Sequence, residues 1–255
     1  MAANVSTFPL STPINLVIRL SYGSITVNAR DGLAEAVVRL TPREPSSDVV
    51  DQITAELQGT TLLVSGPHQR GLADLIGRRR PSRDSIDAVI EVPTDTALKI
   101  STATADVTVT GRCGGADIMA GVTGINLDTV AGDLRVRYGS GSTRLAEVTG
   151  QLECGFGTGE LIVGVVRGDV RSRAGSGSAQ VGAAHGDVDV ALGSGPITIG
   201  LPAGVSARVS ATSGSGQVRS DLPVEKAQAP GTHPVTVRAR TGNGDVRLVR
   251  ADVAA

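Results

Sequence analysis

From Gly132 to Gly200 the chain repeats a nine-residue block without a slip, and this period restricts its folds more than any other feature. The leading glycines fall at Gly132, Gly141, Gly150, Gly159, Gly168, Gly177, Gly186 and Gly195. The third and fifth residues of a block are mostly apolar, as in Leu134 and Val136, Leu152 and Cys154, Val188 and Val190, and Ile197 and Ile199. Alternation with period two is a strand signal, the apolar residues facing in and their neighbours out. The glycine before each strand opens backbone conformations closed to other residues, so the chain can turn a tight corner there. A short fixed period of this kind marks stacked coils, each burying an edge that it could not bury alone.

A period of eighteen overlies the nine. Blocks starting at Gly132, Gly150, Gly168 and Gly186 carry Tyr138, Phe156, Ala174 or Leu192 in seventh place, each followed by glycine. In the alternate blocks the apolar slot moves to the eighth place, at Val148, Val166 and Ala184. One coil is then eighteen residues, with two strands and two unlike corners. The expected fold is all-β, a single-stranded parallel β-solenoid of the β-helix or β-roll kind. Composition agrees, with 33 glycines, no tryptophan, two tyrosines and two phenylalanines. Aromatic rings bury the most area in a globular enzyme core, whereas a thin stack is filled by Val, Leu, Ile and Ala.

Before the repeat, residues 14–30 read as two strands broken at Tyr22-Gly23-Ser24, and 34–41 as a strand around Val37, Val38 and Leu40. In VVDQITAEL, Val49, Val50, Ile53 and Leu57 stand at helical spacing behind Ser47, with Asp51 in the first turn, which predicts a short helix. Residues 60–65 and 86–92 return to strand. An N-terminal β-rich cap with one short helix is therefore expected over 1–97, the solenoid over 98–250, and a frayed tail over 251–255. A cap is needed because a bare terminal coil leaves its backbone groups unpaired. After Gly200 the pattern predicts one more coil, an excursion at 225–231, and a last coil ending in GNGDVRLVR.

The strand-turn-strand LVIRLSYGSITVNA, the Gly-Asp-Leu or Gly-Asp-Val starts at 132–134, 168–170 and 186–188, and the close PVTVRARTGNGDVRLVR give the chain a family likeness. It resembles a bacterial β-strand-repeat family of unknown function whose members are labelled adhesin-like. The resemblance covers nearly the whole chain and implies a β-solenoid with few or no catalytic residues.

Chemistry is sparsely signalled. A net charge of -1 gives no general pull on nucleic acid or an anionic membrane. The start MAANVSTFPLSTPINLVIRL has no secretory pattern, and there is no apolar run of about 18 residues to span a bilayer, so no membrane insertion and a cytoplasmic location are expected. Cys113 and Cys154 make no disulfide framework; Cys154 stands in an inward ladder with Val136, Ser172 and Val190 and is expected to be a buried thiol. His68, His185 and His233 are far apart and lack metal-ligand spacing, and no nucleophile elbow is present. The corners GSGST, GTGEL, GSGSA and GSGPI lack the aspartate of calcium-binding nonapeptide repeats. No enzyme activity, cofactor or metal is expected.

Three surface features compete for function. Asp133, Asp169 and Asp187 recur in second place, with Gln151 between them. They suit a carbohydrate-binding or carbohydrate-active β-helix, or simply accept backbone hydrogen bonds at corners. The outward fourth places on that face, Arg135, Glu153, Arg171 and Asp189, alternate in sign and should pair along the stack. Tyr138 and Phe156 face inward, which leaves sugars no aromatic platform there. The second feature is a strip of small, mostly uncharged residues on the other face: Ser142, Arg144, Ala146, Glu160, Ile162, Gly164, Ser178, Gln180, Gly182, Pro196, Thr198 and Gly200. It suits packing against a protein partner, a second copy or the N-terminal segment. The third is a basic loop at 66–83 with Arg70, Arg78, Arg79, Arg80 and Arg83, where the absence of an aromatic disfavours nucleic acid. The expected role is a non-enzymatic structural or interaction scaffold, an adhesin-like β-solenoid of unidentified partner that self-assembles or docks through its small-residue face.

Overall fold

The computed structural model describes residues 4–10, 13–44, 49–66, 85–222 and 234–251. These residues form seventeen β-strands and one 3-10 turn, and they divide into two compact units, Met1–Thr129 and Val130–Ala255. Within each unit most pairings are parallel.

In the first unit the strands are β1 (Asn4–Pro9), β2 (Asn15–Arg30), β3 (Glu35–Pro42), β4 (Thr54–Gln58), β5 (Thr61–Ser65), β6 (Ile86–Pro93), β7 (Ala97–Cys113) and β8 (Ala116–Val130). The two strands expected over 14–30 are one continuous strand, β2, bent at Gly23. Gly23 has φ +127°, and a Cβ there would lie 1.9 Å from the Ile86 carbonyl oxygen, so only glycine lets the bend stack. β2 runs parallel between two neighbours. On one side its halves pair with β5 and β6; on the other it pairs with β7. Antiparallel strands cover the outer side: β3 on β6, β1 on β3, and β4 on β5.

The short helix expected behind Ser47 does not form. Ser47 itself lies outside the described residues; beyond it stands a single 3-10 turn, Val50–Gln52, followed by β4. Local helical spacing is a weak preference beside a hairpin that pairs five residues of β4 with β5 across Gly59 (φ +60°) and Thr60. Val50 and Ile53, two of the residues that suggested the helix, are buried all the same.

In the second unit the strands are β9 (Leu134–Val148), β10 (Leu152–Val166), β11 (Val170–Ala184), β12 (Val188–Ser194), β13 (Ile197–Leu201), β14 (Ala207–Ser215), β15 (Val218–Ser220), β16 (Val235–Asn243) and β17 (Val246–Arg250). Leu134, Leu152, Val170, Val188 and Val237 stand in one register column, as do Val136, Cys154, Ser172, Val190 and Ala239, and all ten are buried. The offset from β9 to β12 is eighteen residues per coil. Burying one Val or Leu in such a column is worth about 1.5–3 kcal/mol.

The Gly-Ser-Gly and Gly-Thr-Gly corners do not interrupt β9, β10 or β11, so each of these coils is one bent strand rather than two. Breaks occur between β12 and β13, where Pro196 follows Gly195 and has no N–H for the ladder, and at the corresponding corners between β14 and β15 and between β16 and β17. Gly141, Gly159, Gly177 and Gly195 all have positive φ, between +122° and +152°. At Gly159, Gly177 and Gly195 a Cβ would come within 1.6–1.9 Å of the carbonyl oxygen one coil back.

The last two coils are exchanged relative to the chain. β16 pairs with both β12 and β14, and β17 with both β13 and β15, so the C-terminal coil lies inside and residues 207–220 lie outside it. Side chains explain the choice. The inner coil offers Val237, Ala239, Val246 and Leu248, each at most 1% exposed, whereas the outer one offers Val209 at 40% and Val218 at 46%. The more apolar coil takes the position covered on both sides.

Candidate functional site

The corner aspartates are hydrogen-bonded into the backbone. Asp133 Oδ1 accepts from the Gln151 N–H at 2.8 Å, Asp169 Oδ1 from the Asp187 N–H at 2.9 Å, and Asp187 Oδ1 from the Thr236 N–H at 2.7 Å. Each carboxylate thus caps the corner of the next coil, satisfying a donor that the turn takes out of the ladder. Asp245 does the same for the Gln217 N–H at 2.8 Å, which follows the spatial order of the end coils rather than the chain order.

Beyond this corner, the outward residues of the first half-coil form two register columns. One runs Arg135, Glu153, Arg171, Asp189, Arg238. The other runs Arg137, Gly155, Arg173, Ala191, Arg240. The expected pairing along the first column is present at Arg135 Nε to Glu153 Oε2, 2.9 Å. Elsewhere it crosses between columns, from Arg137 Nη2 to Glu153 Oε1 at 3.0 Å and from Arg173 Nη2 to Asp189 Oδ2 at 3.5 Å. The guanidiniums of Arg137 and Arg135 hold the Glu153 carboxyl below the usual carboxylate range. A shallow depression lined in part by Glu153, Asp169, Arg171, Asp187, Asp189 and Arg238 lies over the first column. The second arginine column was not singled out by sequence reasoning, although its signal is plain in LRVRYGS, VRSRAGS and VTVRARTGN.

The strip proposed for packing lies on the other half-coil. Ser142, Glu160 and Ser178 share one column, and Arg144, Ile162, Gln180 and Thr198 another. Arg144 donates to Ser142 Oγ and to Glu160 Oε2, both at 3.1 Å, and Ser178 Oγ donates to Glu160 Oε1 at 3.4 Å. Ala146, Gly164 and Gly182 stack by backbone contact: a Cβ at Gly164 would meet the Ala146 oxygen at 2.4 Å, and one at Gly182 the Gly164 oxygen at 2.6 Å. These glycines therefore hold the coils together as well as keeping the surface low. Gly200, expected to face outward, is buried. Arg70, Arg78, Arg79, Arg80 and Arg83 of the basic loop lie outside the described residues.

The strongly perturbed groups sit in the core. Burial pushes the Cys113 thiol up to about 11 and the Cys154 thiol up to about 12. Burial also raises the Tyr138 phenol, whose oxygen donates to the Glu160 carbonyl at 3.1 Å while its ring stacks on Phe156 at 5.2 Å between centroids. Both cysteines are free. Among the described residues no group of three or more His, Cys, Asp or Glu is placed to hold a metal ion. Among the same residues no helix is long and apolar enough to cross a membrane.

No family model matches the chain, and no curated protein matches it. Solved structures do. A provisionally named adhesin from Bacteroides fragilis has a TM-score of 0.56 at 13% identity, covering 97% of this chain and 97% of that one. A provisionally named adhesin from Parabacteroides distasonis gives 0.47 at 12%, again with 97% of each chain covered. A provisionally named lipid-binding protein from the same organism gives 0.40 at 12%, covering 97% of each. At these identities the likeness to the Bacteroides fragilis protein is one of fold.

Proposed function

We propose that this protein is a non-enzymatic, adhesin-like interaction scaffold built as a parallel β-solenoid. It docks a protein partner or a second copy on the strip from Ser142 to Thr198. The observation that carries the reading is the in-register stack of the second unit. It repeats one side-chain position at every coil, so it yields flat, rigid faces suited to docking, with little loss of conformational freedom on binding. The perturbed groups Cys113, Cys154 and Tyr138 are buried rather than gathered at a cleft, which favours a binding role over catalysis. The fold shared with the Bacteroides fragilis protein supports the same direction.

Light scattering on the full chain over a range of concentrations tests the self-association form of the proposal. The wild type should exceed its monomer mass of 25.8 kDa, and Ala146→Glu with Gln180→Glu should return it to that mass. Both positions are exposed, and Ala146 meets Gly164 through its backbone oxygen, which the substitution leaves in place. A wild type that stays monomeric throughout removes self-association; a pull-down from the native host that yields nothing on this strip then removes the protein partner. The cytoplasmic location belongs to the same proposal, and recovery of the protein in a membrane or secreted fraction would end it.

A further inference from the structure

The two outward columns of the first half-coil carry arginine in pairs on alternate coils: Arg135 with Arg137, Arg171 with Arg173, and Arg238 with Arg240. Neighbouring parallel strands lie about 4.8 Å apart, so successive pairs are about 9.6 Å apart. Gly155 and Ala191 occupy the second column between them and keep the intervening coils low. Within the two columns six guanidiniums face two carboxylates, Glu153 and Asp189, and the corner aspartates adjoin the first column, so the positive excess lies on the second. Glu153 is shared by two arginines and Asp189 bridges Arg173, while Arg171, Arg238 and Arg240 form no ion pair among the described residues.

The two sides of this strip differ. On one side stand Asp133, Asp169 and Asp187, each with an oxygen engaged by a backbone N–H. On the other, the corner presents Ser140, Thr158, Ser176, Ser194 and Asn243, exposed and in register, one per coil. The acid-free Arg137–Arg173–Arg240 column adjoins this polar row. Its guanidiniums are open to solvent, with side chains 54% exposed at Arg137 and 70% at Arg173.

We propose that this strip binds an acidic polysaccharide laid along the stack. Carboxylates recurring once per disaccharide meet the arginine pairs, and the sugar hydroxyls hydrogen-bond to the corner row. A guanidinium presents a planar fork that matches a carboxylate, and the two-coil interval is of disaccharide scale. A single-stranded nucleic acid would instead call for aromatic platforms, and the rings on these coils, Tyr138 and Phe156, are turned inward onto each other. The strip is on a different half-coil from the proposed docking strip, so the two can succeed or fail separately.

The test is interferometry of the full chain on an immobilised hyaluronan fragment, first at low salt and then at physiological salt. The wild type should bind in a salt-sensitive manner. Arg173→Ala with Arg240→Ala should weaken binding about tenfold or more, the equivalent of one lost charge-assisted contact. Alanine already stands in this column at position 191, so the fold should survive, and unchanged circular dichroism and melting check it. If that variant does not fold, Arg137→Gly, which copies Gly155, replaces it. Arg112→Ala, an exposed arginine of β7 outside both strips, should bind as the wild type does, and neither neutral dextran nor poly(dT) should displace the protein. A wild type that ignores hyaluronan at low salt, a folded arginine variant that binds normally, or poly(dT) competing as well as free hyaluronan would each overturn the proposal.

Discussion

Two glycine-to-alanine substitutions in the same unit should have opposite effects on stability. At Gly177 the backbone has φ +132°, and a Cβ would lie 1.7 Å from the Gly159 oxygen and 2.7 Å from its carbonyl carbon. Forcing a non-glycine residue into such a conformation costs about 1–3 kcal/mol. The overlap is with backbone, so β10 and β11 must part at the corner. Losing about two ladder hydrogen bonds there adds about 1 kcal/mol each. Gly177→Ala should therefore destabilise by about 3–5 kcal/mol. At Gly155 the new Cβ meets only Arg137 Cγ, at 4.0 Å, and the same column accepts Ala191. Removing a strand glycine there should be neutral or stabilise by about 0.5–1 kcal/mol, because the unfolded chain loses freedom. Urea unfolding of the two variants beside the wild type, followed by circular dichroism, measures both. Equal midpoints for the two variants, or Gly177→Ala within about 1 kcal/mol of the wild type, would refute the reasoning, since the difference rests on the positive φ at Gly177 and the backbone contact between coils.

Ser172 is fully buried between Cys154 and Val190, and its hydroxyl has no hydrogen-bond partner, so Ser172→Ala should raise stability by about 1 kcal/mol in the same assay. Asp187→Asn keeps an oxygen for the Thr236 N–H and should be close to neutral, whereas Asp187→Ala should cost about 1 kcal/mol in the urea midpoint. The thiols of Cys113 and Cys154 should resist a thiol reagent at neutral pH until denaturant is added. Because burial raises the Cys154 thiol from 9.0 to about 12, the unfolded chain loses this proton before the folded one does. Its effect on stability is absent below pH 9, and stability should fall from about 9 towards about 12; Cys154→Val, matching Val136 and Val190, should flatten that decline in denaturation measured against pH.

The candidate surfaces were partly legible from sequence. Arg135, Glu153, Arg171 and Asp189 could be placed on one outward column because strand alternation and an eighteen-residue coil leave no other register. The corner role of Asp133, Asp169 and Asp187 was one of two readings, and only the hydrogen bonds to the next coil distinguish them. The cross-column bridges from Arg137 and Arg173 were not legible, because long side chains choose partners by reach rather than by register. The strip through Ala146, Gly164 and Gly182 looked like bare surface, yet its glycines are in backbone contact with the preceding coil.

Periodicity by itself determined the inward columns of the repeat, since alternation and a constant coil length place Leu134, Leu152, Val170 and Val188 in one column before any contact is known, whereas Gly200 at its end is buried against that pattern. Tertiary structure decided what no local pattern encodes. β2 lies between β6 and β7, and the C-terminal coil lies inside residues 207–220, because strand order depends on which apolar face gains most from cover on both sides. The same competition turned a segment with helical spacing into β4, where pairing with β5 outweighed a helix too short to hold itself.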